Sequence, residues 1–402
     1  MAEPRNADRH PWAVFLIFLR LGLTSFGGPI AHLGYFRQEF VERRQWLSER
    51  SYADLVGLCQ FLPGPASSQV GMALGLSRCG YRGAVAAWAG FTLPSAVLLV
   101  LCAQGLARHA DAMPAGLLQG LKIAAVAVVA QAVWGMARAF CTDVPRLLLM
   151  AAVACFVVWV PSTWAQVGSM GVAAVAGLWL RSPATAPLHD VVAVAVRPAA
   201  GLLWLGLFLA LLLGLPALHA LYPNQVLALL DTFYRAGSLV FGGGHVVLPL
   251  LQSEVVPSGW VSADTFLAGY GLAQAVPGPL FTFAAFLGAS LQASPTGWLG
   301  ASLCLAAIFA PSFLLVVGVL PFWEPLRRTA RMRAALAGIN AAVVGLLLAA
   351  LYTPMWTDTI HTWLDVALTL MAGLALMVFK WPAWLVVPGA GAAAAGLAAW
   401  PF

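Results

Sequence analysis

The chain carries one pair of helix-breaking motifs twice, in the same order, and no other feature restricts its fold as strongly. FLRLGLTSFGGP at 18–29 is matched by FYRAGSLVFGGG at 233–244, and GLCQFLPGP at 57–65 by GLAQAVPGP at 271–279. At a shift of 215 residues, Phe18, Arg20, Gly22, Phe26, Gly27, Gly28, Leu33 and Glu39 fall on Phe233, Arg235, Gly237, Phe241, Gly242, Gly243, Leu248 and Glu254. Proline and glycine stop one helix and are tolerated at the start of the next. Each repeat is therefore expected to contain two interrupted helices.

Those interruptions stand in a membrane sequence. Hydrophobic residues make up 61% of the chain and charged residues 9%, a balance foreign to soluble domains. Apolar stretches of about the ~20 residues that cross a bilayer as a helix recur at 82–107, 115–137, 199–217, 297–320 and 334–352, with shorter paired runs at 147–180 and 362–400. The residues before Trp12 are charged and show no small-residue cleavage site, so no cleavable signal is expected. The net charge of +6 does not point to nucleic acid, because the basic residues sit between spans instead of forming a soluble patch with accessible aromatics. Cys59, Cys79, Cys102, Cys141, Cys155 and Cys304 show no CxxC spacing, which argues against disulfides and zinc.

Charge then sets the topology. If each broken motif enters and leaves on one side, the 21 Lys and Arg sort unevenly. Arg20, Lys122 and Arg235 lie inside apolar segments, Arg108 faces one side, and all the others face the opposite side, which the positive-inside rule makes cytoplasmic. Loops 31–51 and 78–82 are Arg-rich, whereas their counterparts 244–262 and 291–297 contain no Lys or Arg. The halves are thus expected to be inserted upside down relative to each other, with the N-terminus inside and the C-terminus outside. The expected fold class is an all-α integral membrane protein of two inverted-topology repeats, each with Gly/Pro-broken, re-entrant helices plus transmembrane helices. Residues 1–181 form the first repeat, 182–222 a linker with an extra transmembrane helix at 199–217, and 223–402 the second repeat.

Inverted repeats with Gly/Pro-interrupted segments at matching positions point to a secondary transporter with its site near the midplane. Freed N–H groups at the start of a half-helix, together with the helix dipole, attract an anion. The candidate substrate-binding backbone is Gly27, Gly28, Gly64, Gly242, Gly243 and Gly278, with the breaks made by Pro29, Pro63, Pro65, Pro277 and Pro279. Arg20 and Arg235 each precede a Phe-Gly-Gly by six residues, and a charge near the bilayer centre costs ~2.5–3.5 kcal/mol. Two readings stand: a symmetric cationic pair for an anion, or snorkelling and pairing with Glu39, Asp231 or Glu254. Asp231, at i−4, is placed to neutralise Arg235. Lys122 is a third buried cation, with Asn340 at the equivalent position; it either faces a cavity or snorkels. Gln60 and Gln274 offer amide donors, and Ser67 and Ser68 follow the first Pro-Gly-Pro. His245 is a proton carrier or a structural histidine. Glu39, Glu254 and Asp54 are carboxylates for proton coupling or for capping and Arg pairing. No metal-ligand spacing and no flavin, haem or dinucleotide motif is visible, and Gly242-Gly243-Gly244-His245 lacks the Lys-Ser/Thr of a phosphate loop. The reading is a transporter, not an enzyme, with no cofactor.

FGGPIAHLGYFRQEFVERRQWL (26–47), QFLPGPASSQVGMALG (60–75), SLVFGGGHVVLPLLQSEVV (238–256) and AQAVPGPLFTFAAFLGA (273–289) resemble the chromate ion transporter family in its long-chain, two-domain form, over essentially the whole chain. The resemblance implies export of chromate from the cytoplasm, chromate resistance, and a bacterial inner-membrane location with oppositely oriented halves. By position, Arg20, Gly27, Gly28, Pro29, Pro63, Gly64 and Pro65 match the family's first-half pattern, and Phe241, Gly242, Gly243, Pro277, Gly278 and Pro279 the second. Expelling a dianion from a negative interior gains about twice the ~2.3 kcal/mol per 100 mV that one charge is worth. Sulfate, isostructural with chromate, would need about three protons to enter against that term. Export driven by membrane potential, with or without proton exchange, is the leading expectation; a sulfate importer and an anion channel are the alternatives. The expected partners are chromate and its analogue sulfate, membrane lipids and, as an open alternative, a second copy of the chain; nucleic acid is excluded.

Overall fold

The computed structural model describes residues 10–108, 116–160, 162–179, 196–241, 244–323 and 329–399. Among these the chain is helical throughout, joined by short turns. The first repeat contains α1 (Pro11–Thr24), α2 (Gly28–Arg37, extended by the π-helical turn Gln38–Arg43), α3 (Glu49–Phe61), α4 (Ala66–Arg108), α5 (Leu117–Phe140), α6 (Val144–Trp159) and α7 (Thr163–Gly177). After α8 (Pro198–Leu221), the second contains α9 (Gln225–Leu239), α10 (Val247–Val255), α11 (Ala263–Ala275), α12 (Phe283–Ala289), α13 (Gly297–Val319), α14 (Ala330–Ala350), α15 (Trp363–Met377) and α16 (Ala383–Ala399). The order of elements repeats, and α8 has no counterpart.

Among the described residues, five helices are long and apolar enough to cross a membrane: Ala66–Arg108, Leu117–Phe140, Pro198–Leu221, Gly297–Phe322 and Arg331–Trp356. They coincide with the five long stretches expected from the sequence, and the paired runs fold as α6 with α7 and α15 with α16. The helices before the breaks are shorter. α1 has 14 residues, α3 13, α9 15 and α11 13, about 20 Å each at 1.5 Å per residue, against a hydrocarbon core of ~30 Å. They are half-helices with capped outer ends: Ser48 accepts from Ser51 N at the start of α3, and Ser262 from Thr265 N at the equivalent start of α11.

α1 and α2 form a hairpin about Ser25–Gly27. Phe18 lies 5.6 Å from Phe36 and 5.0 Å from Phe40, ring centroid to centroid, so the chain after the break returns alongside the chain before it. α4 is itself bent back at Cys79 and Gly80, where φ reaches +60°. A Cβ on Gly75 would strike the Gly83 carbonyl, and one on Gly83 the Gly75 carbonyl. Residues eight apart in a straight helix would stand ~12 Å apart, so this contact requires the reversal. The second repeat makes the same approach between Gly288 of α12 and Gly300 of α13.

Residues 1–181, 182–222 and 223–402 mark stretches of chain, and in space the repeats interlock. α5 packs on α11, α15 and α16 of the second repeat, while α14 packs on α6 and α7 of the first. Both exchanges turn on glycine: Gly120 of α5 sits against the Ala390 backbone, and Gly338 of α14 against the Ala173 backbone, with no room for a Cβ on either. Small residues let backbones approach where lipid supplies no hydrophobic drive between helices. α8 packs along α13 and α9, and its remaining surface is exposed and apolar.

Candidate functional site

The breaks of the two repeats cross and bond to each other. Gly64 N donates to Val240 O at 2.6 Å, and Gly278 N donates to Ser25 O at 3.0 Å. Gly64 and Gly278 are equivalent residues of the two Pro-Gly-Pro blocks, and Ser25 and Val240 are equivalent residues before the two Phe-Gly-Gly blocks. Such reciprocity is what a two-fold relation between repeats produces. Both glycines need their lack of a side chain: φ is +118° at Gly64 and +100° at Gly278. A Cβ on Gly64 would meet Ser312 Oγ and Gln69 Nε2, and one on Gly278 would come within 2.7 Å of Ser95 Oγ. Ser95 and Ser312 each follow a proline inside a long span, Pro94 in α4 and Pro311 in α13. A proline there removes one i→i−4 hydrogen bond from the helix. Each crossing thus joins a glycine, a serine and an interrupted helix.

Buried polar groups, all but Ser312 from the first repeat, surround the two crossings. Ser25, His32, Ser67, Ser68, Gln69, Thr92, Ser95 and Ser312 are each no more than 2% exposed. Gln69 Nε2 donates to Pro63 O at 2.6 Å and Gln69 N to Pro65 O at 3.0 Å, fixing the start of α4. His32 Nδ1 lies 3.4 Å from Ser67 Oγ, and its ring stands edge-on to Phe91. Of these residues the sequence alone singles out only Ser67 and Ser68. The recurring Pro-Ser at 94–95 and 311–312, inside matching apolar stretches, is the signal that identifies Ser95 and Ser312.

The other expected site residues fall in several places. Gly27 and Gly28 have φ of +99° and +76°, and Pro29 opens α2. Gly242 and Gly243 lie outside the described residues. Pro277 and Pro279 flank Gly278, and Pro279 O accepts from Thr282 N and Oγ1. Gln60 is exposed on α3, and Gln274 Nε2 lies 3.4 Å from His245 Nδ1, which is bonded at 2.7 Å to Tyr270 Oη. Asp54 is half-buried on α3.

The three internal cations do not converge on the crossing. Arg235 is held by two carboxylates, Asp231 at 3.1 Å and Glu254 at 2.9 Å, so its charge is already taken up. Arg20 is exposed and lines a cleft of about 340 Å³ with Gln38, Glu39, Glu42 and Arg43 at the base of the α1–α2 hairpin. Glu39 is itself paired with Arg44 at 2.6 Å and Arg43 at 3.2 Å. Lys122 reaches out from α5 to the exposed Asp264 on α11 at 2.9 Å, while Asn340 is half-buried on α14. Arg20 and Arg235 thus differ in setting: Arg235 is ion-paired within its own hairpin, whereas Arg20 opens onto the cleft. Arg235→Gln is accordingly expected to lower stability on the order of 3 kcal/mol by stranding two carboxylates. Adding Glu254→Gln should recover part, both read by thermal unfolding in detergent. Arg20→Gln, which breaks no ion pair among the described residues, is expected to shift the midpoint far less.

An all-α, multi-pass membrane protein whose broken half-helices interlock between two repeats has the architecture of a secondary transporter. The chain belongs to the chromate transporter family, whose sequence profile matches residues 12–179 and again 227–397. It is 30% identical to the chromate transport protein of Pseudomonas aeruginosa over 342 residues, covering 83% of this chain and 78% of that one. It is 25% identical to the chromate transport protein of Cupriavidus metallidurans over 393 residues, 96% and 92% of the two chains. An uncharacterized transporter of Bacillus subtilis is 30% identical over 161 residues, 39% of this chain but 88% of its own length, about the extent of one repeat. No solved structure matches the chain. The protein is a transporter and not an enzyme.

Proposed function

We propose that the protein exports chromate from the cytoplasm across a bacterial inner membrane and thereby confers chromate resistance. The observation that carries this reading is the reciprocal crossing of Gly64 with Val240 and Gly278 with Ser25. It gathers interrupted backbone and buried hydroxyls where the two repeats meet, in a family of chromate transporters. Non-helical backbone at membrane depth persists where protein or a water-filled cavity satisfies it, and start-of-helix N–H groups favour an anion. The repeats are placed with opposite orientations, N-terminus inside and C-terminus outside, on the strength of the Arg-rich loops 31–51 and 78–82 against the Lys- and Arg-free 244–262 and 291–297. Transport proceeds by rocking of the interlocked repeats about the crossing. Arg20, at the base of its hairpin, draws the anion toward the entrance, while Arg235 braces the second hairpin. Membrane potential supplies about twice ~2.3 kcal/mol per 100 mV for an outgoing dianion.

The test is accumulation of labelled chromate in everted membrane vesicles, with and without excess sulfate. Energy-dependent accumulation is the expected result, and competition by sulfate would establish a site that reads the tetrahedral shape. Vesicles that accumulate nothing, while right-side-out vesicles take up sulfate with protons, would replace export by sulfate import.

A further inference from the structure

The breaks of the two repeats are alike in backbone but not in side chains. At the first repeat's break, Ser25, His32, Ser67, Gln69 and Thr92 are polar; counted from the shared motifs, their counterparts are Val240, Val247, Phe281, Phe283 and Phe309. Both sets are buried, the polar one no more than 1% exposed and the apolar one no more than 3%, so solvent does not account for the difference. Where a hydroxyl is kept on both sides, its hydrogen bonding differs. Thr282 Oγ1 donates to Pro279 O at 2.7 Å and Ser95 Oγ to Thr92 O at 3.0 Å. Their counterparts Ser68 Oγ and Ser312 Oγ have no partner among the described residues. Ser68 lies in the first turn of α4, and Ser312 Oγ occupies the space beside Gly64, directly before that turn. The first turn of α4 is also where backbone donors are free. Gln69 N bonds to Pro65 O, which leaves Ala66, Ser67 and Ser68 N–H without an i−4 acceptor, and Pro65 has no polar side chain to cap them.

A buried polar group without a partner costs ~1–3 kcal/mol, and keeping several around one break but not the other calls for a ligand at that break. We propose that the first-repeat break is the single binding site for the tetrahedral oxyanion. There the anion, stripped of water, is held by uncharged donors: the Ser67 and Ser68 N–H groups, the Ser68 hydroxyl, and the Ser312 hydroxyl contributed by the other repeat. The second-repeat break, filled by Phe281, Phe283 and Phe309 and with its polar groups His245, Tyr270 and Gln274 bonded to one another, is a packed wall against which the first moves. A site of neutral donors holds a dianion without a fixed countercharge that would slow its release. This assignment rests on the oxyanion-transport reading and adds the location and chemistry of its site.

The test is equilibrium binding of labelled chromate to the purified full-length protein in detergent, with sulfate as competitor. Ser68→Ala and Ser312→Ala are each expected to weaken binding by about tenfold or more, the value of a hydrogen bond to a charged group. Thr282→Ala, the same change at a partnered hydroxyl of the second break, should leave the affinity within about twofold of wild type. Unliganded melting temperatures report whether each variant is folded. If wild type binds and all three variants bind as tightly, or the Thr282 variant weakens binding as much as the other two, the one-sided site is wrong and oxyanion transport stands. If wild type binds neither chromate nor sulfate, the transport reading falls together with the site.

Discussion

Gly64→Ala is expected to abolish chromate accumulation in vesicles, and Ser312→Gly introduced with it to restore a measurable part. Two costs combine at this position. A φ of +118° is adopted by a non-glycine residue at a cost of ~1–3 kcal/mol. The added methyl would also occupy the place of Ser312 Oγ and press on Gln69 Nε2, displacing the start of α4 and with it the Gly64–Val240 hydrogen bond. Ser312→Gly removes the collision but not the backbone strain, and it also takes away a hydroxyl assigned to the anion, so the rescue is partial. Gly278→Ala should behave alike, with φ at +100° and Ser95 as the side chain in the way, and Ser95→Gly as its specific suppressor. The crossed combinations, Gly64→Ala with Ser95→Gly and Gly278→Ala with Ser312→Gly, should give no rescue. Suppression by either serine would show that the effect is general loosening, and a fully active Gly64→Ala would remove the crossing from the mechanism.

The second large effect concerns the exchange of helices. A first half produced alone is expected to be degraded or aggregated, whereas the two halves produced together as separate chains should assemble and purify as one complex. α5 has its main packing partners, α11, α15 and α16, in the second half, and α14 has α6 and α7 in the first. Alone, either half would leave those surfaces unmatched. A point substitution tests the same geometry within the intact chain. Gly338→Val places its side chain on the Ala173 carbonyl, and overpacking of this kind costs ~1–3 kcal/mol. Gly168→Val, on the same helix as Ala173 but with open space around it, should be near neutral. Size-exclusion profiles and thermal midpoints of the two variants read the difference. A stable, monodisperse half would mean that the interlock contributes little.

The half-helices illustrate how a repeat conveys less than a fold. Phe-Gly-Gly and Pro-Gly-Pro locate the breaks in the sequence because glycine and proline act on the backbone of their own residue, and the positive φ values at Gly27, Gly28, Gly64 and Gly278 are found where those motifs stand. The hydropathy of the long stretches likewise locates α4, α5, α8, α13 and α14, since a span is defined by its own run of apolar side chains. The settings of the arginines are not legible in the same way. Arg20 and Arg235 share a place in the repeat, yet Arg235 is clasped by Asp231 and Glu254 while Arg20 opens onto a cleft. Pairing with Asp231 is visible at i−4; pairing with Glu254, 19 residues away, depends on how the hairpin closes.

Membrane residence, the number of long spans, the duplicated breaks and family membership were therefore legible in the order of residues, because each is a property of a short stretch of chain. The exchange of α5 and α14 between repeats, the reciprocal bonds at Gly64 and Gly278, and the unpartnered hydroxyls of Ser68 and Ser312 belong to the folded molecule. Inside a membrane, lipid is as apolar as a neighbouring helix, so hydropathy carries no record of which helix packs on which. A serine in an apolar stretch reads the same whether its hydroxyl bonds to its own helix, as Ser95 does, or is left facing a crossing, as Ser312 is.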